Sequence, residues 1–129
     1  MKCNDDVKKI SDMDYRKKWP TNYRCEDGHY VCSKSEMLID NWLYSHGICH
    51  DYEKAVFSIS GTDQFICDFY IPFYNIYIEF RGLDSVLNKQ YQEKKVIKTN
   101  FYKINNYRLV DISDDEIMLL DDKLGKLFR

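Results

Sequence analysis

The chain has 129 residues, 44% of them hydrophobic and 16% aromatic, which is the size of one ordinary domain and too apolar for a disordered or low-complexity chain. Its longest purely apolar runs, such as Ile117–Leu120, fall far short of the roughly 20 residues of a bilayer span; no basic segment followed by an apolar stretch opens the chain, and five cysteines cannot all pair within one molecule, so the expectation is a soluble, cytoplasmic protein with reduced thiols and no membrane partner. Nineteen basic against 21 acidic residues leave a net charge of −2, which gives no bulk attraction to phosphate backbones, yet the charge is segregated: Lys89–Lys103 carries five lysines against Glu93, and Asp111–Asp122 holds six acids and no base.

Residues 1–24 mix acids and lysines around Met13, Tyr15 and Trp19 and read as an arm or short helix; residues 25–129 read as one α/β domain. Ser33-Lys34-Ser35-Glu36 has capping-box spacing, and the residues from Met37 to Leu43 carry a helix over 33–46 to a stop at Gly47. Three strands follow in β-branched and aromatic runs, Ala55–Ile59, Phe65–Ile71 and Ile76–Arg81, separated by Ser60-Gly61-Thr62-Asp63 and by Pro72. Helical spacing returns from Ser85 to about Lys103, Tyr107–Ile112 reads as a strand, and Ser113–Glu116 caps a last helix carrying Ile117, Leu120, Leu124 and Leu127. The order α-β-β-β-α-β-α predicts an α/β fold with a central mixed sheet of about four strands flanked by helices.

Two carboxylates stand where a strand would otherwise be pure core: Asp68 in Phe65–Ile71 and Glu79 in Ile76–Phe80. A hairpin turning at Phe73-Tyr74 pairs residues whose numbers sum to 147, which makes these two acids cross-strand partners. Opposed side chains have Cβ atoms roughly 4.5–5.5 Å apart, and like charges there repel. A divalent cation relieves the repulsion, as oxygen donors suit Mg²⁺; a solvated face, or pairing with Arg81 or a lysine, is the alternative. In the following helix Leu87, Tyr91, Lys98 and Tyr102 share one face, so Lys98 interrupts an apolar and aromatic stripe. It is either a partly buried proton-transfer or phosphate-contacting group or a lysine whose stem lies along the stripe with its ammonium in water. Cys25, His29 and Cys32, with Cys49 and His50, include enough donors for a structural zinc, but the spacing matches no strong zinc pattern, and the reading preferred to it is free thiols in a reduced compartment with Cys67 in the strand core.

Taken together, Asp27-Gly28-His29, Ser33–Glu36, Tyr52-Glu53, Asp68–Pro72, Tyr77–Gly82, Tyr91, Lys98 and Tyr102 resemble the PD-(D/E)xK, or restriction-endonuclease-like, nuclease superfamily, in its small variant with the lysine moved to the next helix. The resemblance implies a metal-dependent endonuclease acting on DNA, with RNA as another substrate, in which Asp68, Glu79 and the Phe80 carbonyl hold Mg²⁺ or Mn²⁺. Glu36 would orient a metal-bound water, and Lys98 would complete the catalytic set. The usual lysine position, two residues after the second acid, holds Arg81, whose guanidinium stays protonated. Cys32 stands where many such sequences have arginine and Arg81 where many have tryptophan. Lys34, Arg81, Lys94 and Lys95 are candidate nucleic-acid contacts, and cutting both strands of a duplex would favour a homodimer. The alternative is a non-catalytic nucleic-acid-binding or protein-interaction module on the same fold.

Overall fold

The computed structural model describes residues 21–82 and 89–128. The arm residues Met13, Tyr15 and Trp19, the start of the second predicted helix with Leu87, and the side chain of Tyr91 lie outside the described parts. A hairpin of β1 (Tyr23–Arg24) and β2 (Tyr30–Val31) precedes α1 (Lys34–Ser45). Then come β3 (Asp51–Phe57), β4 (Gln64–Ile71), β5 (Ile76–Arg81), α2 (Lys89–Ile104) and β6 (Arg108–Ser113). A 3-10 turn at Asp114–Glu116, a short α3 (Leu120–Leu124) and a second 3-10 segment at Gly125–Phe128 close the described chain.

The main sheet has four strands in the order β3-β4-β5-β6. β3 and β5 both pair antiparallel with β4. β6 joins β5 in parallel, as the long crossover through α2 allows. The α/β class and the four-stranded mixed sheet are as the sequence predicts. The β1–β2 hairpin is an addition to the predicted order, and it starts at Tyr23, inside the segment read as an arm.

Local chemistry accounts for most boundaries. Ser33 Oγ accepts the Glu36 N–H at 3.1 Å, closing the first turn of α1, and Gly47 at φ +69 turns the chain away after His46. β3 starts earlier than the predicted Ala55, because Asp51 and Tyr52 pair with Tyr70 and Phe69. It stops at Phe57, where the Ser58 N–H bonds the Asp63 carbonyl at 2.8 Å. The predicted single C-terminal helix is broken. Glu116 Oε1 accepts both the N–H and the Oγ–H of Ser113, and the Leu119 N–H bonds the Glu116 carbonyl at 2.9 Å in a tight i to i+3 turn. That turn leaves Met118 and Leu119 exposed while burying Leu120 and Leu124.

The sheet has an apolar cluster on each side. Ile39 and Leu43 of α1 pack with Phe69, Ile71, Ile76, Ile78, Ile112 and Leu124. Phe101 and Tyr102 of α2 pack with Val56, Cys67 and Tyr77 on the other side. Strict alternation would put Cys67 and Phe69 on one face, yet they belong to opposite clusters. The switch falls at Asp68. The ladder between β3 and β4 passes from Tyr52↔Phe69 to Lys54↔Cys67, and Glu53, which stands between, has φ 56. A non-glycine residue in the left-handed region costs roughly 1 kcal/mol or more, so the irregularity that re-aims β4 at Asp68 is held there by the packing on both sides.

Candidate functional site

The turn at Pro72–Asn75 sets the expected register: Ile71↔Ile76, Tyr70↔Tyr77 and Phe69↔Ile78 all sum to 147. The pairing ends there, one step before Asp68 and Glu79. Instead, Asp68 Oδ2 accepts the Phe80 N–H at 2.7 Å, so a side-chain carboxylate takes the place of a ladder carbonyl between β4 and β5. Asp68 and Glu79 are 5% and 2% exposed.

Glu79 points toward α2. Its Oε2 receives the Tyr102 hydroxyl at 2.8 Å and lies 3.2 Å from Lys98 Nζ. Lys98 and Tyr102 are four residues apart, hence on one face of the helix, and converge on the same oxygen. Lys98 also donates to the Ile66 carbonyl of β4, so its ammonium bridges the two strands instead of ending in water. Burial first, then the neighbouring Glu79 carboxylate, raises the Tyr102 pKa far above its ordinary value, which fixes that hydroxyl as a donor. Asp68 adds to the same upward push, so both acids act on this one phenol. The sequence puts Tyr102 on the Lys98 stripe without a role; an aromatic hydroxyl four residues from a buried lysine is the signal for one.

Glu36 stands on the α1 side of the sheet. Its Oε1 accepts the Tyr52 hydroxyl at 2.8 Å and the Cys32 N–H at 3.1 Å. Burial, followed by the Glu36 charge, drives the Tyr52 pKa up and keeps it a donor. Lys34 and Lys94 are exposed and Lys95 is half-buried. Arg81 lies inside, 6% exposed, with its Nε donating to Asp111 Oδ1 of β6 at 3.1 Å. It braces β5 against β6 and does not present its guanidinium on the surface as a phosphate contact would require.

A second polar cluster joins the hairpin, α1 and the chain just before β3. His29 Nδ1 is 3.0 Å from Asp27 Oδ2 and 2.8 Å from Asp40 Oδ2. His50 Nε2 is 3.2 Å and 3.1 Å from the same two oxygens. His29 and His50 therefore do converge, but their companions are aspartates and not the cysteines named with them in the sequence. Among the cysteines, Cys25 is buried beside Asp40, its thiol pushed up to about 12 by burial and then by the charges of Asp40 and Asp27. Cys32 gives its backbone N–H to Glu36 and Tyr52, and Cys49 is exposed. Burial raises the Asp40 carboxyl, but its bonds to His50 and Asp27 and the His50 charge outweigh that and bring it down to about 2. The sequence signal for Asp40 is an acid on the buried face of α1, next to Ile39 and one turn from Leu43.

The chain matches none of the protein-family models, curated proteins or solved structures with which it was compared. Its class is α/β, with a four-stranded mixed sheet between helices. Among the described residues no helix is long and apolar enough to cross a membrane.

Proposed function

We propose that the protein is a metal-dependent nuclease that hydrolyses phosphodiester bonds of DNA at a site built from Asp68, Glu79, the Phe80 carbonyl and Lys98. The observation that carries this reading is the buried ion pair of Glu79 and Lys98, at 3.2 Å, beside a second buried carboxylate placed where the β4–β5 ladder ends. Burying charges is costly, and a hydrophobic replacement is often more stable. A buried lysine paired with a strand carboxylate is thus better explained by chemistry than by folding.

The donor set fits a hard cation. Asp68 and Glu79 offer carboxylate oxygens, and the N–H and C=O of one strand residue point to the same edge, so the Phe80 carbonyl faces β4 as its N–H does. Mg²⁺ or Mn²⁺ bound there would lower the pKa of a bound water and neutralise charge on the phosphate. The protein side chains do the rest. Tyr102 and Lys98 fix the Glu79 carboxylate in one orientation, and the Phe80 N–H fixes that of Asp68. Lys98 supplies a fixed positive charge for the oxygens of the phosphate and a proton at Nζ for transfer. Glu36 is left out of this set, because its carboxylate is held on the α1 side of the sheet by Tyr52 and Cys32.

Labelled single- and double-stranded DNA and RNA, incubated with Mg²⁺ or Mn²⁺, with and without chelator, test the reading. Cleavage that stops with chelator and in Asp68→Ala is expected. Binding without cleavage under every metal condition would favour the alternative of a non-catalytic nucleic-acid module.

A further inference from the structure

We infer that Asp27, His29, Asp40 and His50 form a separate site for one zinc-class transition-metal ion, which clamps the β1–β2 hairpin to α1 and to the start of β3. Each residue supplies one donor atom, and all four atoms lie within 4.8 Å of one another. Four of the six separations are 2.8, 3.0, 3.1 and 3.2 Å. Zinc bonds of roughly 2.0–2.1 Å in a tetrahedron place neighbouring ligand atoms about 3.3–3.4 Å apart, so a small outward movement makes room for the ion.

An ion-pair network alone does not account for His50. Its Nδ1 lies 2.8 Å from the Ile48 carbonyl, an acceptor only, so Nδ1 carries the proton of that bond. Its side chain is 3% exposed, and Nε2 lies 3.1 and 3.2 Å from two carboxylate oxygens without a well-formed hydrogen bond to either. A ring nitrogen aimed between two anionic oxygens points at the place a cation would occupy. The Ile48 carbonyl is also the usual second partner of a ligating imidazole, holding Nδ1–H so that Nε2 is the nitrogen left to ligate. Asp27 is oriented likewise: its Oδ1 accepts the His29 N–H at 3.0 Å, which turns Oδ2 into the cluster. Asp40 is fully buried, and its Oδ1 has no hydrogen-bond partner.

Two imidazoles with two carboxylates select zinc or a neighbouring transition metal over Mg²⁺ or Ca²⁺. Four protein donors, with side chains between 0% and 16% exposed, complete a tetrahedral shell, so the role is structural and not catalytic. The need is local. β1 and β2 are two residues each, far too short to hold a hairpin unaided, and Asp27 and His29 sit in the turn that joins them.

The test uses the full chain stripped with chelator and reloaded with Zn²⁺ or Co²⁺ alone. Elemental analysis is expected to give one zinc per chain, and Co²⁺ to give the intense visible absorption of a tetrahedral site, abolished by one equivalent of Zn²⁺. His50→Gln and Asp40→Asn should each weaken Zn²⁺ binding by at least about 100-fold, while Asp68→Ala keeps it. Failure of the wild-type chain to take up either ion would overturn the inference. So would undiminished binding in the double variant His29→Ala/His50→Ala. A thiolate-to-cobalt charge-transfer band lost in Cys25→Ser would overturn this ligand set. The wild-type measurement needs no variant to fold, and none of these readouts depends on nuclease activity.

Discussion

Two buried polar clusters face this sheet from different sides, and they solve the problem of buried negative charge differently. On the α2 side, Glu79 has a protein cation beside it, since Lys98 reaches it at 3.2 Å, and Asp68 accepts the Phe80 N–H. In the other cluster, the basic groups beside Asp27 and Asp40 are the imidazoles of His29 and His50, and His50 aims Nε2 between the two carboxylates. The first cluster contains a permanent protein cation, whereas the basic groups of the second are titratable imidazoles. The donor atoms agree: oxygen with an ammonium suits a hard, exchangeable cation at a reactive centre, and nitrogen with oxygen suits a retained transition metal.

Substitutions that act on one cluster and spare the other test this contrast. The largest effect is expected from Asp68→Ala, with a fall in metal-dependent cleavage of at least about 10³-fold and zinc content unchanged. Asp68→Asn, which keeps an acceptor for the Phe80 N–H, should fall as far in activity while unfolding at a temperature closer to wild type. A parallel loss of zinc in both variants would break the separation of the sites.

Lys98→Ala comes next, leaving Glu79 buried without its cation, with an expected cost of about 3–5 kcal/mol in denaturant unfolding and a loss of turnover. Lys98→Met combined with Glu79→Gln should recover most of that stability, because no lone charge remains, without recovering cleavage. Recovery of both would mean that the pair is only structural.

Tyr102→Phe removes one donor from Glu79 Oε2 and nothing else. The Mg²⁺ concentration that half-saturates activity should rise about 10–100-fold, with a smaller change in the maximal rate. An unchanged Mg²⁺ dependence would exclude Tyr102 from positioning Glu79. The smallest effect is expected from Glu36→Gln, which keeps acceptors for Tyr52 and Cys32: cleavage should stay within about twofold, equivalent to roughly 0.4 kcal/mol. A deeper loss would return Glu36 to the reacting centre.

The sequence by itself determined the class of fold, the extent of α1 with its Ser33 cap and Gly47 stop, the strands around Asp68 and Glu79, and a hairpin register summing to 147. These are local matters of capping, periodicity and turn chemistry, each carried by residues near one another in the chain. It did not determine that pairing ends at Phe69↔Ile78, that Glu53 and Asp68 interrupt the alternation, or that the C-terminal helix breaks at Ile117–Leu119. Nor did it bring Asp40 of α1 to the turn holding Asp27 and His29. Those outcomes depend on which side chains meet across elements distant in sequence: Lys98 and Tyr102 closing on Glu79, and two aspartates with two histidines facing one point. Periodicity along a chain describes one element at a time, and only packing in three dimensions decides which buried charges find partners.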